Sequence, residues 1–169
     1  YFDSDKILLI AIFFMILGSL PFLVLIQTSK KNLFPVFKDH QIRVFFIVLI
    51  IAITIIFFLA YNYVDGNFLS RFIAVSFNTI SIISGTGYTS ENFENWGNYA
   101  SVLFLILMFI GGCAGSTTGG LKVFRFQILF SYLNLHLNKM LKPHSISASR
   151  FNGKIISETT YESVMSFFF

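Results

Sequence analysis

The chain has 169 residues, 55% of them hydrophobic and only 12% charged, with a net charge of +4 and a mean hydropathy of +0.74. A soluble domain of this size carries about 25% charged residues, so the composition excludes an ordinary water-solvated enzyme and defines an integral membrane protein. The basic residues gather in particular connections, which argues for membrane topology and against nucleic acid as a partner.

The single cysteine, Cys113, can form no intrachain disulfide and completes no C-x-x-C pattern. His40, His136 and His144 lie far apart in polar or flanking segments and are not expected to ligate a metal. No signal peptide with a cleavage site is present. The chain opens directly before one apolar span and stops inside another, and we expect a fragment of a longer polypeptide.

Residues 7–26 carry no charge and are long enough to cross a hydrocarbon core of about 30 Å as one helix, with Gly18 and Pro21 marking a bend. This span ends a preceding unit, residues 1–29. Residues 30–43 form a basic link containing Lys30, Lys31, Lys38 and Arg43. A second span covers 44–60, followed by a polar turn at Asn62, Asp65, Gly66 and Asn67. Residues 68–83 show helical spacing, but they are too short to span and too polar, with Asn78, Thr79 and Ser81 inside the run. That profile predicts a re-entrant half-helix, which enters the membrane and returns as extended chain at 84–88.

A polar loop with Glu91, Glu94 and an interfacial Trp96 comes next. A broken helix is expected over 98–141, interrupted by the glycine-dense decapeptide 111–120. Residues 142–157 read as a cytoplasmic loop, and 158–169 as the start of another unit.

Charge orients these elements. Residues 28–43 hold four Lys/Arg and the region after 121 holds six, whereas 61–98 holds only Arg71 against Asp65, Glu91 and Glu94. By the positive-inside rule the two basic regions are cytoplasmic and 61–98 faces outward.

Two breaks carry the chemistry. Backbone that is neither helix nor barrel is tolerated at membrane depth only where protein packs it or it lines a water-filled path. A half-helix descending from outside points its negative C-terminal end at the membrane centre, where it favours a cation. Beyond it Ser84, Gly85, Thr86 and Gly87 have small side chains or none, so their carbonyl oxygens can replace an ion's hydration shell. Gly87 matters most, because alternating inward carbonyls need φ values that L-residues resist. Tyr88 is the expected outer support of this strand. An extracellular turn with glycine at positive φ is the plain alternative.

The second break, Gly111, Gly112, Cys113, Ala114, Gly115, Ser116, Thr117, Thr118, Gly119 and Gly120, admits three readings. It can cradle phosphate before a helix, although Leu121-Lys122-Val123 does not satisfy the G-x-x-x-x-G-K-[ST] pattern. It can be a close-packed small-residue interface. Or it can be a flexible constriction beneath the first break.

The segment 82–88, followed about twenty residues later by FIGGCAGSTTGGLKVFR, resembles the third pore repeat of the Trk/Ktr/HKT superfamily of potassium transporters, closest to its bacterial Trk branch. Phe37-Lys38-Asp39-His40-Gln41-Ile42-Arg43 is similar to that family's link between repeats two and three. Phe151-Asn152-Gly153-Lys154 onward is similar to the lead into repeat four. Gly85 departs from the potassium-channel pattern, which often has Thr there, and removes a hydroxyl from the innermost site.

The resemblance implies an all-α membrane fold of helix–pore-half-helix–helix repeats in pseudo-fourfold array. It puts the selectivity glycine at Gly87 and the gating loop at 111–120. It implies K⁺ as the transported ion, held only at the filter residues, no cofactor, and a multi-pass place in the cell (inner) membrane. The partners it implies are membrane lipid, a second copy of the full-length subunit, and a cytoplasmic nucleotide-binding regulatory subunit.

A small subunit that homotetramerises into a channel is a second expectation. A membrane enzyme acting on a phosphorylated lipid at the glycine loop is a third. The enzyme lacks a general base, since no Asp or Glu occurs between Glu94 and Glu158.

Overall fold

The residue before a proline is pushed to extended backbone, and the proline itself has no amide to donate. Leu20 accordingly sits at φ −86°, ψ 156°, and the single span expected over 7–26 is instead two helices, α1 (Asp5–Ser19) and α2 (Phe22–Lys31). The computed structural model describes residues 4–31, 39–142, 150–151, 154–156 and 158–168. Phe37 and Lys38 of the link, and His144 in the following loop, lie outside the described residues.

Helix α3 (His40–Ala60) starts where the Asp39 carboxylate accepts from the Gln41 amide at 2.8 Å, an N-cap that satisfies one orphan donor. Among the described residues it is the one helix both long and apolar enough to cross a membrane, with 21 residues and a hydropathy of 3.1. One face buries Ile42, Phe45, Leu49, Ile53, Ile56 and Ala60. The opposite face exposes Ile47, Ile50 and Phe58, as a lipid-facing surface would.

Helix α4 (Phe68–Ile83) occupies the centre, packed by α1, by α3 and by α5 (Asn98–Phe109). Every residue from 73 to 81 is buried, so the helix is enclosed on all sides. Its N-terminal end is fixed by polar ties. Arg71 donates to the carbonyls of Gly66 (2.8 Å) and Tyr61 (2.9 Å) and lies over the Tyr61 ring, while Ser70 reaches the Asp5 carboxylate at 3.1 Å.

Between α4 and α5 a short 3₁₀ turn (Phe93–Trp96) places Trp96 against Phe104. Trp96 is 1% exposed. The interfacial role expected of it is therefore replaced by a packing role at the foot of α5. Helix α5 ends at Phe109, and α6 (Val123–Leu141) begins after the glycine loop. Strands β1 (Arg150–Phe151) and β2 (Lys154–Ile155) then pair antiparallel within what was expected to be plain loop. Helix α7 (Glu158–Phe168) follows, its Tyr161 and Val164 packing with Ile128 of α6 in a separate small cluster.

Candidate functional site

The last carbonyls of a helix have no intrahelical donors and must find partners. In α4 the partners are the amides of the residues that follow. Ser84 N donates to Ile80 O (2.8 Å), Gly85 N to Ile82 O (3.0 Å), and both Thr86 N (3.0 Å) and Gly87 N (3.3 Å) to Ser81 O. Gly85 and Gly87 adopt φ of +71° and +76°, so the chain folds back over the helix end.

The consequence is a two-sided strand. Its amides are spent on α4, while among the described residues no backbone amide donates to the carbonyls of Ser84, Gly85, Thr86 or Gly87. The helix-end carbonyls of Ile80, Ser81 and Ile82 are thus occupied, and the bare oxygens belong to the strand. Ser84 is buried, and its hydroxyl bonds Thr86 Oγ1 at 2.7 Å, whereas Gly85, Thr86 and Gly87 are exposed.

Tyr88 does not play the anchoring part expected of it within this chain: it is 62% exposed. The outer end is held by Asn78 instead. Asn78 is fully buried, and its Nδ2 donates to Ala74 O (2.9 Å) and Ser90 Oγ (2.7 Å), while its Oδ1 accepts from Ser90 N (3.2 Å). The polarity of Asn78 inside an apolar helix was visible in the sequence; its partner twelve residues on was not.

The glycine loop is a closed excursion. Ile110 and Leu121 form a parallel bridge, with Gly111 N donating to Leu121 O (2.8 Å) and Leu121 N to Phe109 O (2.9 Å). The two chain ends run so close that a Cβ on Gly111 would lie 2.1 Å from Gly119 O, a clash with backbone that nothing can relieve cheaply.

Inside the loop, Gly112 N donates to Thr118 Oγ1 at 2.9 Å and Ser116 Oγ to Cys113 O at 2.6 Å. The Lys122 ammonium reaches back to Thr118 O, Thr118 Oγ1 and Ser116 Oγ. Cys113 is fully buried as a free thiol.

The loop docks on the break between α1 and α2, whose carbonyls the helices leave unpaired. Cys113 N donates to Ser19 O (3.0 Å), and Thr117 N (3.1 Å) and Thr117 Oγ1 (3.0 Å) to Gly18 O; in return Phe22 N donates to Gly115 O (3.0 Å). Gln41, at the start of α3, accepts from Ala114 N at 3.0 Å. These partners were missed in the sequence, where Gly18 and Pro21 read only as a bend.

The two breaks also meet each other. A Cβ on Gly85 would stand 3.6 Å from Gly119 N, in ordinary contact. Sequence reading and structure therefore bring together Ser84, Gly85, Thr86 and Gly87 with the glycine loop. His40 is placed elsewhere, against Gln127 at 3.1 Å, and His136 against the Tyr132 ring.

A phosphate cradle finds little here. The amides of Gly111, Gly112, Cys113, Ala114, Ser116 and Thr117 are already donated to protein oxygens, and Lys122 is turned onto the loop itself.

Beyond the membrane-spanning segments, burial pushes the Glu91 carboxyl above its ordinary value. A hydrogen bond with Trp96 opposes that rise and repulsion from Asp65 adds to it.

A segment whose carbonyl oxygens accept no backbone amide among the described residues can coordinate a cation. The class is that of cation transport proteins. The family described as "TrkH: Cation transport protein" matches across residues 1–169, and the chain belongs to that family. It is similar to the Trk system potassium uptake protein TrkI of Halomonas elongata, 30% identical over 169 residues that cover 100% of this chain and 34% of the relative. It is likewise similar to TrkH of Escherichia coli K12, 32% identical over 99% of this chain and 35% of that protein. Among solved structures it matches the potassium transporter TrkH from Vibrio parahaemolyticus with a TM-score of 0.89 at 28% identity, covering 99% of this chain and 37% of that one. The chain thus spans about a third of the length of the relatives it matches.

Proposed function

We propose that this chain forms one pore segment of a potassium uptake protein, with α4 as the re-entrant half-helix, Ser84–Gly85–Thr86–Gly87 as its share of a carbonyl-lined filter, and residues 111–120 as the gate beneath. The observation that carries the reading is the two-sided strand after α4, whose amides are committed to the helix and whose carbonyls are free. Such a strand can replace the hydration shell of K⁺, and several converging strands complete the cage.

The proximity of Gly119 to Gly85, whose added Cβ would stand 3.6 Å from Gly119 N, supports a barrier beside the filter. The loop's few hydrogen bonds, worth about 1 kcal/mol net each, suit a barrier that opens. The names of the relatives, all potassium uptake proteins, point to the same ion. The basic connections lie on the cytoplasmic side of the inner membrane, and residues 61–98 on the outer side. The full-length subunit works as a homodimer in lipid with a nucleotide-binding regulatory subunit on its cytoplasmic face.

The test is Gly87→Ser in the full-length protein. Within this chain a Cβ on Gly87 meets nothing within 4 Å, so here the substitution acts through φ +76°. The strain is about 1–2 kcal/mol, the scale of a tenfold discrimination. Relieving it turns a carbonyl out of line. The Rb⁺/Na⁺ uptake ratio is expected to fall about tenfold. An unchanged ratio in a well-inserted variant would remove the filter assignment.

A further inference from the structure

The filter strand has two ends, and only one is held by backbone. From Ser84 to Gly87 every amide donates to an α4 carbonyl, with Thr86 N and Gly87 N sharing Ser81 O. Beyond that Tyr88 is exposed, and among the described residues no amide past Gly87 donates to a backbone carbonyl of α4. Carbonyl-bearing residues tied to α4 only as far as Gly87 are free to shift where the chain leaves the helix.

Asn78 supplies the other fixture. Among the described residues it is the one α4 side chain that hydrogen-bonds the chain past Tyr88, through Ser90 Oγ at 2.7 Å and Ser90 N at 3.2 Å. Its remaining donor is fixed on Ala74 O at 2.9 Å. The orientation of the amide follows from these partners. Turned over, its NH₂ would face the Ser90 N–H and its oxygen would face a carbonyl, so only the observed orientation satisfies every group. Complete burial of Asn78 keeps water from competing for either bond.

We propose that Asn78 and Ser90 form a clamp that positions the filter strand for ion discrimination, with Asn78 as a positioning residue that touches no ion. The proposal rests on the filter reading above and adds to it the element that fixes the strand's outer end. Both bonds close one loop of chain, from residue 78 to residue 90, and the four carbonyl-bearing residues lie within it.

The experiment measures Rb⁺ and Na⁺ uptake by proteoliposomes of the full-length protein carrying Asn78→Leu, Ser90→Ala, Ser90→Thr, or Asn78→Leu with Ser90→Ala. Gly87→Ser serves as the filter control. Asn78→Leu keeps the branched side-chain shape and removes both clamp bonds, and the Rb⁺/Na⁺ ratio is expected to fall about tenfold. Ser90→Ala removes one bond, and a fall of roughly two- to fivefold is expected. Ser90→Thr restores the hydroxyl and recovers most of that loss.

The double variant should match Asn78→Leu alone, because the two residues act through the same bonds. A double variant whose loss is the product of the two single losses would show that they act separately and overturn the clamp. So would Ser90→Ala and Ser90→Thr variants with equal ratios, a comparison that stands even if Asn78→Leu fails to insert. Unchanged ratios in the Asn78 and Ser90 variants alongside a lowered ratio in Gly87→Ser would remove the clamp and leave the filter standing. An unchanged ratio in Gly87→Ser as well would remove the filter reading itself.

Discussion

Deleting residues 115–118 from the glycine loop of the full-length protein is expected to raise ion flux while leaving ion preference in place. The deletion removes three bonds between the loop and the α1–α2 break: Thr117 N and Thr117 Oγ1 to Gly18 O, and Phe22 N to Gly115 O. It also removes Ser116 and Thr118, the targets of Lys122. Two anchors stay, Cys113 N to Ser19 O and Ala114 N to Gln41 Oε1.

At about 1 kcal/mol net per bond, the three lost bonds bound the shift at about 3 kcal/mol, or about a hundredfold in the ratio of open to closed loop. Thr117→Val, which loses only the hydroxyl bond, sets the lower rung at about fivefold. The helices on either side keep their register, because Ile110 and Leu121 are already paired and the residues between them are an excursion from that pair. Rb⁺ uptake by vesicles reads the flux, and parallel Na⁺ uptake reads the preference, which the proposed filter at residues 84–87 would set. A stable, correctly inserted deletion variant with wild-type or lower flux would refute the gating argument.

Two further outcomes follow from the outer loop and the charge pattern. The raised Glu91 carboxyl means the native state holds that proton more tightly than the unfolded chain, so stability falls as pH rises through the window above the ordinary carboxylate value. Glu91→Gln should therefore raise Tm at neutral pH and flatten that fall; an unchanged slope in a pH series of melting curves would count against it. Cysteines introduced at Glu91 and at Lys142 in a Cys113→Ser background should label from opposite sides of the membrane. Labelling from one side would overturn the topology derived from Lys/Arg bias.

Much of the architecture was legible because its signals are local. Residues 44–60 announce a long apolar helix by unbroken hydropathy, and 68–83 announce a shorter, different helix by carrying Asn78, Thr79 and Ser81 among apolar neighbours. Glycine density at 84–88 and 111–120 marked both irregular segments. What the sequence withheld was pairing at a distance. Nothing in a linear reading tells that the carbonyls freed by Pro21 at Gly18 and Ser19 are taken up by Cys113 and Thr117, or that Gln41 caps the same loop.

The glycines of the decapeptide differ in what surrounds them. Gly111 is glycine because Gly119 O leaves no room, whereas Gly115 and Gly119 have open space beside them. Within this chain Trp96 is buried and Tyr88 exposed, the reverse of what the sequence suggests. An aromatic residue near a membrane boundary reads alike whether it is buried or exposed, and only the fold decides which.

The central claim is that the bare carbonyls of Ser84, Gly85, Thr86 and Gly87 hold the transported ion. The most direct measurement is a crystal structure of the full-length protein grown in Rb⁺, with anomalous difference density used to locate the ion. The account predicts Rb⁺ density within coordinating distance of those oxygens, displaced or lost when Na⁺ replaces Rb⁺. Rb⁺ bound elsewhere along the pathway, with these carbonyls unoccupied in a transport-competent protein, would contradict it.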